Sequence, residues 1–269
     1  VWHIGPARIL GAAAQVGPLG LLLVLIPSLV MYLLEAYGWK LTMGAYAGAV
    51  SFPRLLAIRT AGEVVNMTTP TAYIGGEPLK AYLLKRAQVP LVDGLASVVL
   101  AKTFMTIAQV LFILLGLVVA FWLLGSEGSS GQMVMASIVS AGVLAFGVAG
   151  FVAVQRWGLF TGALGLLRRA NLRVAYLEAR ESKLHELDRT ILNFYGQDRR
   201  NFLLSTGLYF GGWLAEALEV YVMLVCLGVP VTALASLAIG ALSAFIKGGT
   251  FFIPGSLGAQ DGGNLLLVT

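Results

Sequence analysis

The sequence predicts an all-α, polytopic helical membrane protein, and three observations carry that prediction. Of the 269 residues, 58% are hydrophobic and 12% charged, against about 25% charged in soluble domains. The mean hydropathy is +0.85. No charged side chain occurs in windows 9–34, 103–126, 128–155 and 220–246, each longer than the ~20 residues a helix needs to cross a bilayer. The apolar residues also come in runs, whereas an outer-membrane barrel alternates them. What lies between the runs is too short to build a soluble enzyme beside an anchor.

Taken in order, the first span is expected from Leu19 to Leu34. No small-residue cleavage site follows it, so it reads as an uncleaved helix rather than a signal peptide. A second segment, Leu41 to Ile58, carries Pro53 and Arg54, and its Gly44 and Gly48 make a GxxxG of the kind that packs helices closely. The third span, Val92 to Leu124, and the fourth, Met133 to Val154, are joined by a short Gly-Ser turn containing Glu127. A basic connection follows, with nine of the 18 Lys and Arg between Arg156 and Arg200. Cytoplasmic loops concentrate such charges, so this connection and the N-terminus are expected in the cytoplasm and residues 126–131 outside. Leu177, Leu184, Leu187, Ile191 and Phe194 recur at helical spacing within the connection, the stripe of an amphipathic helix lying on or under the bundle. The fifth span runs from Asn201 to Cys226 and the sixth from Val231 to Ile253, separated by a Gly228-Val229-Pro230 turn. The reading is one integral membrane domain, with a first half 1–154, a connection 155–200 and a second half 201–269. Val1 and Thr269 read as trimmed ends, with at least one further span expected beyond them.

Cys226, His3 and His185 are the only cysteine and histidines. A structural zinc site wants about four converging ligands, so neither a metal nor a cofactor is expected. The net charge of +5 sits beside membrane spans, which argues against a nucleic-acid partner.

The residues that do not belong in lipid carry the functional reading. Two stretches break the apolar pattern alike: Glu63 to Glu77 around Pro70, and Lys247 to Asp261 around Pro254. Each has a charged residue seven before its proline, a carboxylate seven after it, and glycines between, Gly75 and Gly76 in the first, Gly255 and Gly258 in the second. Paired Gly/Pro-broken segments mark the binding region of inverted-repeat transporters, because irregular backbone at membrane depth must be buried in protein or line a wet cavity. Ordinary interfacial loops would explain the same pattern. Helix starts after the glycines would aim N–H groups at an anion such as phosphate. Lys80, Lys102 and Lys247 would join them, with Asn66 nearby. Glu216 and Glu219 lie one helical turn apart on a shared face. Each ionised group at the bilayer centre costs about 2.5 to 3.5 kcal/mol on insertion scales, so these charges either pair within the bundle or line a headgroup path.

Asn66, Thr69-Pro70, the Gly75-Gly76-Glu77-Pro78-Leu79-Lys80 run and the Ile253-Pro254-Gly255-Ser256-Leu257-Gly258 run resemble the flippase-like membrane domain of lysylphosphatidylglycerol synthases and their stand-alone relatives. The fuller stretches, Gly76 through Tyr82 and Gly255 through Asn264, look most similar to the branch associated with hopanoid biosynthesis. The resemblance implies a multi-pass protein of the bacterial inner membrane, with re-entrant helices around a lipid-accessible cavity. It does not imply lysyl transfer, since no synthase domain accompanies the membrane region. The leading expectation is an ATP-independent lipid transporter or flippase, not an enzyme, whose partners are membrane phospholipids or hopanoids. The alternatives are a membrane-embedded enzyme on a lipid-linked substrate, with Glu216 and Glu219 as acid and base, and a scaffold subunit of a lipid-modifying enzyme docking through the helix from Leu177 to Phe194.

Overall fold

The computed structural model describes residues 6–69, 75–128, 131–169 and 180–249. Among them the chain is all-helical, with α1 (Pro6–Leu41), α2 (Phe52–Thr68), α3 (Gly76–Arg86), α4 (Leu91–Gly128), α5 (Gly131–Arg156), α6 (Leu159–Arg169), α7 (Glu181–Gln197), α8 (Arg199–Cys226) and α9 (Ala233–Gly249). Three stretches are long and apolar enough to cross a membrane: Ala14–Leu41, Leu91–Leu123 and Arg199–Cys226. They contain the first, third and fifth expected spans, and α5 contains the fourth.

The second expected span, Leu41 to Ile58, is not a helix crossing the membrane. α1 ends at Leu41, a 3-10 turn occupies Gly44–Tyr46, and α2 starts at Phe52. Gly44 sits in that turn at φ 54, a left-handed conformation that glycine adopts without a Cβ clash. The Gly44/Gly48 pair therefore serves a reversal of the chain and not a helix interface. Pro53 falls in the first turn of α2, where its missing N–H costs nothing.

Losing that crossing changes the topology. α1 packs most extensively on α8, and the two run antiparallel. Ser205 Oγ donates to Gly38 O at 2.9 Å near one end, and Gln15 Nε2 donates to Leu227 O at 3.1 Å at the other. Trp39 Nε1 and Thr42 Oγ1 donate to Ser97 Oγ and Ser97 O, bringing the start of α4 to the Leu41 end. Gln155 Nε2 donates to Thr103 Oγ1 at 2.8 Å, bringing the end of α5 there too. The Ala14 end of α1 and the start of α7 thus lie at opposite ends of the bundle.

The core runs along α4. Phe104 meets Phe194 of α7 and Phe202 of α8 at ring distances of 5.7 and 5.0 Å, and Phe112 stacks on Trp213 at 5.8 Å. Small residues let helices approach: a Cβ on Gly116 would overlap Ala241 of α9. The amphipathic helix of the connection is α7, and Leu187, Ile191 and Phe194 of its stripe are buried, whereas Leu177 lies outside the described residues. α6 departs from the direction of α5 by 88°, at a corner where Gly158 has φ 92. Asp188 of α7 accepts from Phe160 N, Thr161 N and Thr161 Oγ1, supplying acceptors for amides that the first turn of α6 leaves without helical partners.

Candidate functional site

α2 and α3 form a tight helical pair that builds one polar cluster. Arg59, Glu63 and Asn66 are spaced at i, i+4 and i+7, one face of α2. The pair closes because two glycines meet, since a Cβ on Gly76 would overlap the Gly62 carbonyl oxygen and one on Gly62 would overlap Lys80 Cε. Asn66, 1% exposed, locks the crossing from both sides. Its Oδ1 accepts from Gly76 N at 2.7 Å and its Nδ2 donates to Glu77 Oε1 at 3.2 Å. The Gly76 N–H, expected to be free for an anion, is therefore already occupied by Asn66. Gly75, just before it, is the N-cap of α3.

Glu77 is the hub. Lys80 Nζ donates to its Oε2 at 3.1 Å, and Lys102 Nζ of α4 is 3.8 Å from its Oε1. Lys102 is eleven residues past Leu91, about 16 Å along the helix, and its side chain is 40% exposed. α3, at 11 residues, is too short to span. Burial lowers the Lys80 ammonium below the ordinary lysine pKa, with Lys102 acting in the same sense, while Glu77 and Glu63 oppose it.

A second pair adjoins this hub. Arg59 Nη2 is ion-paired with Glu35 of α1, both side chains at least nine-tenths buried. The Arg59 guanidinium also lies 4.8 Å from the Tyr32 ring centroid, a cation–π contact. Its Nη1 is buried and has no hydrogen-bond partner. Arg59, Glu63, Glu77, Lys80 and Lys102, with Trp39 and Tyr209, line a cavity of about 30 Å³. With Glu35 behind Arg59, three cations face three carboxylates. Glu35, Arg59, Gly62 and Tyr209 were not singled out in the sequence. The signal was the helical spacing of Arg59, Glu63 and Asn66, i, i+4 and i+7 on one face.

Other candidates lie elsewhere. Glu219 Oε2 accepts from Ser28 Oγ of α1 at 2.6 Å, and neither it nor Glu216, one turn before it on α8, lines the cavity. α9 runs antiparallel to α4, with Gln109 Nε2 donating to Ala244 O at 3.1 Å. Its last turn, with Lys247, therefore heads toward the level of Lys102, and the Lys247 side chain lies outside the described residues. So do Pro70, Pro254, Gly255, Gly258 and Asp261. Among the described residues no cluster of three or more His, Cys, Asp or Glu could hold a metal.

Comparison with known proteins agrees with this architecture. Two "UPF0104 membrane protein" sequences of Methanothermobacter thermautotrophicus are each 27% identical to the chain; the alignments cover 96% of it in both cases and 78% and 76% of those relatives. No solved structure matches. The family described as the lysylphosphatidylglycerol synthase TM region matches residues 1–269, and with that whole-length match to a helical membrane bundle, the chain is a multi-pass membrane protein belonging to this family.

Proposed function

We propose that the protein is an ATP-independent lipid transporter that moves a polar headgroup past the α2–α3 pair while the acyl chains stay in hydrocarbon. One observation carries the reading: a charge-balanced cluster of Arg59, Lys80, Lys102, Glu35, Glu63 and Glu77 is built into a bundle whose outer surface is apolar. Ionised groups are costly near lipid, and water or a polar headgroup at the exposed Lys102 offsets that cost. On this reading α2 and α3 are the two arms of a re-entrant hairpin in a cytoplasmic membrane, the partners are membrane lipids, and no chemical conversion is performed. A phospholipid supplies the anionic group that three cations suit, whereas a neutral hopanoid would use the polar groups alone.

For the scaffold alternative the polar face of α7 is the available part of the helix, because Leu187, Ile191 and Phe194 are buried inside the protein. The enzyme alternative assigned acid and base roles to Glu216 and Glu219, which lie away from the cavity. The test is translocation of fluorescent phospholipids in proteoliposomes, comparing wild type with Lys102→Met, Lys247→Met and the Glu216→Gln/Glu219→Gln pair. Lys102→Met is expected to slow translocation about tenfold or more, roughly 1.4 kcal/mol of barrier. Absence of translocation by folded wild-type protein for any lipid tested refutes the proposal.

A further inference from the structure

On the α2 face of the cavity two groups keep bonding capacity, and they are of opposite charge. Arg59 is nine-tenths buried, lines the cavity and has Nη1 unpartnered. Glu63, one turn further along the same face of α2, also lines the cavity; its charge acts on Lys80, but no hydrogen bond engages its carboxylate among the described residues. The other charges there are ion-paired: Glu35 with Arg59 Nη2, and Glu77 with Lys80 and, at 3.8 Å without a hydrogen bond, with Lys102. Residues four apart on a helix are neighbours, with Cβ atoms about 5–6 Å apart. The cluster therefore offers one unused donor on a cation and one carboxylate within a single headgroup's reach.

Resting on the lipid-transport reading above, we propose that this cavity is a seat for a zwitterionic phospholipid headgroup of the phosphoethanolamine class. A phosphoryl oxygen binds Arg59 Nη1 and the ammonium binds Glu63. Charge bookkeeping selects this class: the empty site holds three cations and three carboxylates, so a zwitterion leaves the total unchanged. A headgroup carrying only the phosphate adds uncompensated negative charge to a poorly hydrated site, where such charge is expensive. The cavity, about 30 Å³, takes a water-sized group at a time. Binding a whole headgroup therefore widens the mouth at Lys102, whose exposed ammonium touches the phosphate first.

The test uses the full chain in detergent and reads binding alone, by calorimetry with dihexanoyl phosphatidylethanolamine, dihexanoyl phosphatidylglycerol and free sn-glycero-3-phosphoethanolamine. The ethanolamine lipid should bind about tenfold tighter than the glycerol lipid, a difference of about 1.4 kcal/mol. Glu63→Gln should erase that preference by weakening the ethanolamine lipid, and Arg59→Gln combined with Glu35→Gln should weaken both lipids. Equal or tighter wild-type binding of the glycerol lipid overturns the seat without recourse to any variant, as does an unchanged ratio in folded Glu63→Gln. Free sn-glycero-3-phosphoethanolamine, which carries the same phosphodiester and ammonium, should bind more weakly than the lipid, and equal affinity overturns the assignment to lipid. Selective binding without translocation would uphold the seat and refute transport. Translocation of both lipids with equal binding would do the reverse.

Discussion

At the residue scale, the buried Arg59–Glu35 pair is retained at a cost that only its surroundings justify. Breaking such a pair by neutralising one partner costs about 3–5 kcal/mol, because the other charge stays buried alone, while removing both is far milder. Glu35→Gln is therefore expected to lower the Tm of the purified protein sharply, with the Glu35→Gln/Arg59→Gln pair recovering most of the loss. Additive losses in that cycle would mean the two side chains do not interact. The glycine crossing gives a second expectation. A methyl group on Gly76 meets the Gly62 carbonyl, which is rigid backbone, whereas one on Gly62 meets the Lys80 side chain. Overpacking costs about 1–3 kcal/mol. Gly76→Ala should fall at the upper end and Gly62→Ala below it, as read by thermal unfolding in detergent, and the reverse order would place the close approach elsewhere.

At the scale of elements, most helices were legible in the sequence, because uncharged runs and the 3.6-residue period report burial in lipid or core directly. The α7 stripe was legible for that reason. The Leu41–Ile58 segment was not, since a turn and a helix start that are both apolar mimic a span in composition. The candidate site was legible in part. Asn66, Glu77, Lys80 and Lys102 stood out as polar residues among apolar ones, but their union with Arg59 and Glu35 depends on the Gly62–Gly76 approach, which no local pattern encodes. α6 is likewise a product of tertiary contacts: Asp188 holds its first turn, and Arg168 forms two hydrogen bonds to Glu181 at its other end. Asp188→Ala should cost about 0.5–2 kcal/mol, as capping losses do, and by loosening the α6 backbone should speed tryptic cleavage after Arg168 and Arg169, whose side chains are already exposed. An unchanged digestion pattern would show that α6 is held otherwise. The Arg168 hydrogen bond holds the Glu181 pKa below its ordinary 4.5. A depressed carboxylate pKa stabilises above the unfolded value and loses that contribution as pH falls through the folded one. The Arg168–Glu181 contact should therefore be intact at neutral pH and lost in acid below 4.5, with protease access to this corner as the readout.

For the whole molecule, the antiparallel packing of α1 on α8 constrains orientation more strongly than any single loop. Residues 42–69 and 75–90, with the starts of α4 and α8 and the end of α5, share one end of the bundle. Among the described residues that end and its connections carry Lys40, Arg54, Arg59, Lys80, Lys85, Arg86 and eight of the nine basic residues from Arg156 to Arg200, Arg173 lying outside the described residues. Among the described residues the opposite end has Arg8 alone, because the α4–α5 and α8–α9 turns contain no Lys or Arg. Basic residues near span ends set orientation toward the cytoplasm. The expected topology therefore has the basic connection inside and the Ala14 end of α1 outside, with α1 crossing once. Cysteine accessibility in intact cells checks it in a Cys226→Ala background, Cys226 being the native cysteine on α8. Lys183→Cys on α7 should react with an impermeant maleimide only after permeabilisation, while Gln15→Cys should react from outside. Labelling of position 183 in intact cells would invert the protein. Protection of both positions until permeabilisation would put the Ala14 end and the connection on one side, which the Gln15–Leu227 and Gly38–Ser205 hydrogen bonds cannot accommodate, and would overturn the packing of α1 against α8.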